Sequence, residues 1–376
     1  MRIDVPFEQL KHVVHIADIH IRLFRRHDEY ESAFQKLYSD IKAKKLNDFA
    51  IVLAGDILHA KTDMSPEMVR VASKFLSAIA DIAPTILIAG NHDCNLANEH
   101  RLDSLTPIVE NLNHPNLFYQ KNSGIVSIAD TDFAVCSVFD SQENWPSAVD
   151  CKGSTKIALY HGPVHGALTD ANFVITNRHV HVSMFGGYDI VMLGDIHRHQ
   201  ILQEYNPQEN QPIIVYASSL IQQNHGETLD NHGWCLWDIP ARSFDFFELE
   251  NEYGYVTLEV VNGQLQQPTN MPKNIRARLF TENLDNTQVK KLISILKNKH
   301  NIIELSVNKS RTAKTINRSG NITQHQLLNL SDLSTQNELI RDWLTRNEPS
   351  LSKDMIANIL KLNGNLNHTI DRKSVV

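Results

Sequence analysis

Short apolar segments recur through the first 240 residues, and five of them run straight into a polar motif. The five are 12–17, 49–54, 85–89, 156–160 and 190–193, with further strand candidates at 213–217 and 234–239. Amphipathic helices separate the early ones, so the pattern predicts an α/β fold built on a central sheet. Ser65 and Pro66 open the clearest helix, in which Met68, Val71, Ala72, Phe75, Leu76 and Ile79 share one face. Tyr30, Ala33, Phe34, Leu37, Tyr38 and Ile41 repeat that spacing in an earlier helix, and Leu102, Leu105, Ile108, Val109 and Leu112 in a later one.

The pattern changes after about residue 250. A strand at 256–261 precedes a predicted βαβ unit formed by 277–280, a helix over 286–299 and a strand at 302–307. Val289, Leu292, Ile293 and Leu296 give that helix its apolar side. The stretch 310–326 is polar and predicts a linker. Two short amphipathic helices follow, one with Leu339, Ile340, Trp343 and Leu344, the other with Met355, Ile356, Ile359 and Leu360. Net charge is −7, yet it is unevenly spread. Residues 270–318 hold eleven Lys or Arg and three acids, a local +8 that leaves −15 elsewhere. That asymmetry suits an acidic metal site on one domain and a basic surface on another, although a solvated lysine face would give the same count. The four cysteines form no CxxC pair and predict reduced, mostly buried thiols. No apolar run approaches the roughly 18 residues a membrane span needs, and the N-terminus lacks a signal-peptide core, so an intracellular protein is expected.

The polar motifs are Asp18-Ile19-His20, Gly55-Asp56, Gly90-Asn91-His92-Asp93, His161-Gly162 and Gly194-Asp195-Ile196-His197. Ligands gather beyond the carboxyl ends of strands in open α/β sheets, so all five can converge on one crevice. They offer carboxylate, amide and imidazole but no thiolate, a set that suits Mn, Fe, Zn or Mg. Two such ions can share a carboxylate and polarise a phosphate oxygen for in-line attack. A single Asp-x-His or Gly-Asp is common in turns. Five motifs in this order, each after a strand, are not.

Together the motifs resemble the calcineurin-like metallophosphoesterase superfamily (D-x-H, G-D, G-N-H-D, H and G-H-x-H). Within it the chain resembles the SbcD-type DNA repair nucleases, among them the T-even phage recombination endonuclease subunit. Asp56-Ile57-Leu58-His59, His197-Arg198-His199-Gln200 and the segment from Tyr216 to Gly226-Glu227 carry this narrower likeness, with 233–238 as a closing strand. The likeness covers about 1–250 well and 250–320 less well.

The resemblance implies a four-layer αββα sandwich over 1–248, a small basic α+β capping domain over 249–318, and a linker with partner-binding helices over 319–376. It implies that Asp18, His20 and His197 hold one divalent ion, that Asn91, His161 and Asp195 hold a second, and that Asp56 bridges. His92 would serve the leaving oxygen, with Asp93 orienting it. His59, His225, Lys290 and Lys291 would contact substrate. Asp195 stands where the family usually has histidine, and its added charge favours Mn²⁺, with Mg²⁺ as the other candidate. The expected activity is Mn-dependent endo- and exonucleolytic cleavage of DNA. The expected partners are DNA, a second copy of the chain and an SbcC-type SMC-like ATPase, with no membrane. The expected location is the cytoplasm near the nucleoid, or the host cytoplasm for a viral chain. A protein phosphatase or small-molecule phosphodiesterase would share every metal ligand, and a non-catalytic scaffold is the third reading.

Overall fold

The computed structural model describes residues 1–98, 101–176, 179–261, 264–281 and 284–309, together with 337, 340, 341, 344 and 355–362. The chain opens with β1 (Arg2–Ile3), β2 (His12–Ile16), α1 (His27–Ala43), β3 (Phe49–Ala54), α2 (Pro66–Ala80), β4 (Thr85–Ile88) and α3 (Leu105–Leu112). Next come β5 (Leu117–Tyr119), β6 (Gly124–Ile128), β7 (Thr131–Cys136), β8 (Thr155–His161) and β9 (Ile190–Gly194). They are followed by β10 (Gln200–Gln203), β11 (Ile213–Tyr216), β12 (Gly233–Asp238) and β13 (Ser243–Glu248). The last elements are β14 (Tyr253–Val261), β15 (Gln264–Gln266), β16 (Asn274–Thr281), α4 (Asn286–Lys299) and β17 (Asn301–Lys309).

Two sheets lie back to back. One runs β1-β6-β7-β8-β9-β11-β10, the other β13-β12-β2-β3-β4-β5. Alternation along each strand sends neighbouring side chains to opposite faces. Val13, Val52, Ile86, Val135, Leu159 and Met192 therefore fill the space between the sheets. Val14, Ile51, Leu53 and Leu87 point outward from the second sheet, against Phe34, Leu37, Phe75, Leu76 and Ile108 of α1, α2 and α3. Both strand faces are buried, which explains why the strands read as continuous apolar runs. Ser65 caps α2 as its sequence predicts, accepting a hydrogen bond from the Met68 N–H. The expected sandwich is present. Its fourth layer, over Ala158, Tyr160, Val191 and Leu193, is loop with two short 3₁₀ turns at Gln142–Asn144 and Val182–Phe185.

The predicted βαβ unit forms with α4 at its expected ends, and its sheet runs β15-β14-β16-β17. Asp285 caps α4 in a reciprocal capping box with Gln288. Ile275, Ala277 and Leu279 face α4, whereas Arg276 points to the opposite side and pairs with Glu29 of α1 at 2.7 Å. Met1–Ser310 forms one compact unit and Arg311–Val376 a second. In the second unit 337, 340, 341, 344 and Met355–Leu362 are helical. Leu339 and Trp343 of the predicted tail helix lie outside the described residues, as do Arg311, Lys314 and Arg318 of the basic stretch. All four cysteines are free and buried, as expected. No helix among the described residues is long and apolar enough to cross a membrane.

Candidate metal centre

The parallel strands β2, β3 and β4 of one sheet, and β8 and β9 of the other, end at the same side of the sandwich. Their exits are laced together by backbone. The Asp18 N–H donates to Gly55 O, Ile19 and His20 to Asp56 O, and Asp195 to the Asp18 carboxylate at 3.0 Å. The turns are sharp. Asp18, His20 and Asp56 each hold φ near 53° and Asp195 holds 97°, a left-handed backbone that non-glycine residues rarely adopt. Gly90 is required by space, because a Cβ there would lie 2.1 Å from Asp56 Oδ1 and 2.7 Å from His161 Nε2.

Three groups of ligand atoms result, Asp18/His20/His197, Asp18/Asp56/His161 and the all-histidine His20/His59/His92. His20 Nε2 lies 3.0 Å from His197 Nε2, 3.4 Å from Asp56 Oδ2 and 3.8 Å from Asp18 Oδ1. His161 Nε2 lies 3.3 Å from Asp56 Oδ1 and 3.9 Å from Asp195 Oδ1. Asp18 belongs to both carboxylate-containing groups, and Asp56 turns one oxygen to His20 and the other to His161. His161 Nε2 and Asn91 Oδ1 are buried without a hydrogen-bond partner, although His161 Nδ1 is bonded to Ala54 O at 2.7 Å. Orphaned buried donors and acceptors are costly, so this cluster fits a pair of divalent cations. The seven expected ligands are thus drawn from loops that meet at one place.

The electrostatics agree. Burial pushes the Asp18 carboxyl up to about 7, against the pull of His161 and His197, with Asp56 and Asp195 adding repulsion. Burial raises Asp195 as well. For His161 burial opposes the charge, yet Asp56, Asp18 and Asp195 carry it well above the usual imidazole range. No lysine or arginine pairs with these carboxylates among the described residues. Asp56 differs: burial opposes its charge, yet His161 and His20 hold it below the usual carboxylate range, so Asp18 and Asp195 are the carboxyls short of positive charge.

Other side chains refine the expected roles. His92 stands edge-on to His20 at 4.9 Å, and its Nδ1 lies 2.8 Å from the His59 carbonyl, which can only accept. The carbonyl therefore fixes the ring and leaves Nε2 toward the pocket. Asp93, expected to orient His92, instead accepts hydrogen bonds from the N–H groups of Gly90, Ile57 and Leu58 and so pins two loops together. The reason is geometric, since its carboxylate points back under the turn. His59 lies at the pocket, with its ring stacked on His92 and its Nδ1 3.4 Å from His20 Nδ1. His225 is placed elsewhere, edge-on to Tyr255 and under Arg278, which reaches its carbonyl. Lys290 and Lys291 are exposed on α4, across the third sheet from the side that meets α1. The fold does not bring them to the cluster. Arg276, counted above in the basic stretch, is buried and ion-paired.

Sequence reasoning missed the role of Glu227. Its carboxylate lies 2.8 Å from His197 Nδ1 and also accepts from the Gln223 N–H and the Asn224 amide. This orients His197 with Nε2 toward the cluster. The Gly226-Glu227 motif was visible, but its partner thirty residues earlier was not. Gln222 ties the same loop to Tyr255 of β14 through both amide atoms.

The sequence pattern of the calcineurin-like phosphoesterases matches residues 11–235. A protein of Acanthamoeba polyphaga mimivirus, titled "Uncharacterized protein R555", is 42% identical over 308 residues. The match covers 79% of this chain and 22% of the viral protein, so the chain spans about a fifth of that relative's length.

Proposed function

We propose, from the premise that the chain belongs to the calcineurin-like phosphoesterase family, that its substrate is DNA and that it works as an SbcD-type nuclease with Mn²⁺. The observation that carries the choice of substrate is the third sheet. Its Tyr255 and Arg278 bond to the loop that carries His225 and Glu227, and Glu227 in turn orients the ligand His197. Cationic and ring groups thus continue outward from the metal pocket, as a charged polymer with stacked bases would require.

When bound, two divalent ions supply Lewis acidity toward the phosphate and the attacking water. Asp18, His20 and His197 would hold one, and Asn91, His161 and Asp195 the other, with Asp56 shared. The chain's own task is proton delivery. His92 Nδ1 keeps its proton because it faces a carbonyl, so Nε2 faces the pocket and, in the doubly protonated ring, gives its proton to a departing oxygen and is left neutral. In the same proposal the helices after 318 engage an SMC-like ATPase, and the chain pairs with a second copy.

An end-labelled duplex incubated with Mn²⁺, Mg²⁺ or Zn²⁺, beside a phosphopeptide, tests the proposal. The expected result is Mn-dependent cleavage of the duplex. Turnover of the phosphopeptide with an intact duplex would overturn it.

A further inference from the structure

Arg22 follows the first metal-binding motif by two residues, and its environment differs from those of Arg26, Arg242 and Arg276. Arg26, Arg242 and Arg276 each pair with a carboxylate, at 2.8, 2.7 and 2.7 Å. Among the described residues no carboxylate pairs with the half-buried Arg22. Its Nη1 lies 3.0 Å from His59 Nε2, its Nη2 donates to Gln223 O at 3.2 Å, and its Nε is buried without a partner. A partly desolvated guanidinium lacking an anion is costly.

Its present partner is also overcommitted. Arginine only donates, so His59 Nε2 accepts and the His59 proton sits on Nδ1, facing His20 Nδ1 at 3.4 Å. His20 turns Nε2 toward Asp18 and Asp56, and holding a metal through that atom leaves its own proton on Nδ1. Two N–H groups would then oppose each other. His59 has one acceptor for two donors, and the bond to Arg22 is the one an incoming phosphate oxygen can replace.

Position decides which phosphate. His59 presents Nδ1 to His20 and Nε2 to Arg22, so a whole imidazole ring separates the guanidinium from the metal cluster. We infer that Arg22 binds the phosphate next to the one being hydrolysed, making the site selective for a polynucleotide strand over an isolated phosphodiester. This rests on the nucleic-acid reading above.

The test compares the full chain with Arg22→Ala and Arg22→Gln, the latter keeping a donor toward Gln223 O without the charge. Binding of a labelled phosphorothioate single strand in Mn²⁺ is followed by anisotropy across a salt series. Losing one phosphate contact should reduce the slope of log K against log salt by about 0.7 in both variants. In steady-state assays KM for a short oligonucleotide should rise roughly tenfold more than KM for bis(p-nitrophenyl) phosphate. Metal content should equal that of the unaltered chain. Unchanged slopes, equal effects on both substrates, or lost metal would overturn the inference and make Arg22 a tie for the Gln223 loop. An unaltered chain that hydrolyses the small diester but neither binds nor cuts the strand would instead sink the nucleic-acid reading itself.

Discussion

At the ends of β2, β3 and β9, Asp18, Asp56 and Asp195 share a buried space with histidines and, among the described residues, with no lysine or arginine. Where the third sheet meets α1, Glu29 lies between two guanidiniums, 2.8 Å from Arg26 and 2.7 Å from Arg276. Both hold buried carboxylates, yet Asp18 and Asp195 shift upward and Glu29 downward, while Asp56, against burial, is held below its usual range by His161 and His20. Burial pushes Asp18 up to about 7 and its histidine neighbours do not compensate. Burial acts on Glu29 too, but Arg26 and Arg276 outweigh it and hold the carboxyl below its usual range. The site complete within the chain stabilises its carboxylate, whereas the histidine cluster does so for Asp56 and leaves Asp18 and Asp195 uncompensated.

The largest effect that could break this contrast is at His92. We expect His92→Gln to lower hydrolysis by about 10²–10⁴-fold while leaving the metal content unchanged by mass spectrometry, because His92 belongs to neither of the two carboxylate-containing ligand groups. Metal lost along with activity would place His92 among the ligands.

On the other side of the comparison, Glu29→Gln strands two guanidiniums. The expected loss is about 3–5 kcal/mol by chemical denaturation at pH 7. Because the folded pKa is depressed, this contribution is full above the unfolded value of 4.5 and fades as pH falls through the folded one. The gap between the two proteins should therefore close below pH 4.5. A gap that persists there would mean packing, not charge, holds the junction.

Glu227→Gln sharpens the boundary between the two regions, since Glu227 lies in the loop joining them. Calorimetric titration with Mn²⁺ should show about 10–100-fold weaker binding. Unaltered affinity would limit Glu227 to holding its own loop.

The smallest effect concerns His15 of β2, fully buried with neither ring nitrogen hydrogen-bonded. Burial lowers its pKa to about 3, so its neutral form stabilises the fold fully above 6.5 and that support is lost as pH falls toward 3. Between pH 6.5 and about 5, His15→Leu should spare the protein about 2 kcal/mol of acid destabilisation. Parallel acid curves for the two proteins would contradict this.

Strands 49–54 and 85–88 and helices α1, α2 and α4 were legible because their signals are local: apolar period, caps and turn residues. The ligand loops were legible for the same reason, each being a short motif after a strand. The β6–β7 hairpin and β13 were not, since their alternation is weak and their pairing is set by neighbours far along the chain. Arg276 and Lys290 look alike in sequence. Only the distant Glu29 makes one a buried ion pair, while Lys290 stays on an exposed helix face. Asp93 misled for the opposite reason, because its place in the motif fixes its identity but not the direction of its carboxylate.

The left-handed backbone at Asp18, His20, Asp56 and Asp195 has a consequence for heritable change. Each of these residues costs the fold about 1 kcal/mol that glycine would not. A library of this chain screened for heat resistance alone should drift toward glycine at those four positions, yielding hardier descendants with no chemistry left. Only continued demand for turnover keeps carboxylate and imidazole there.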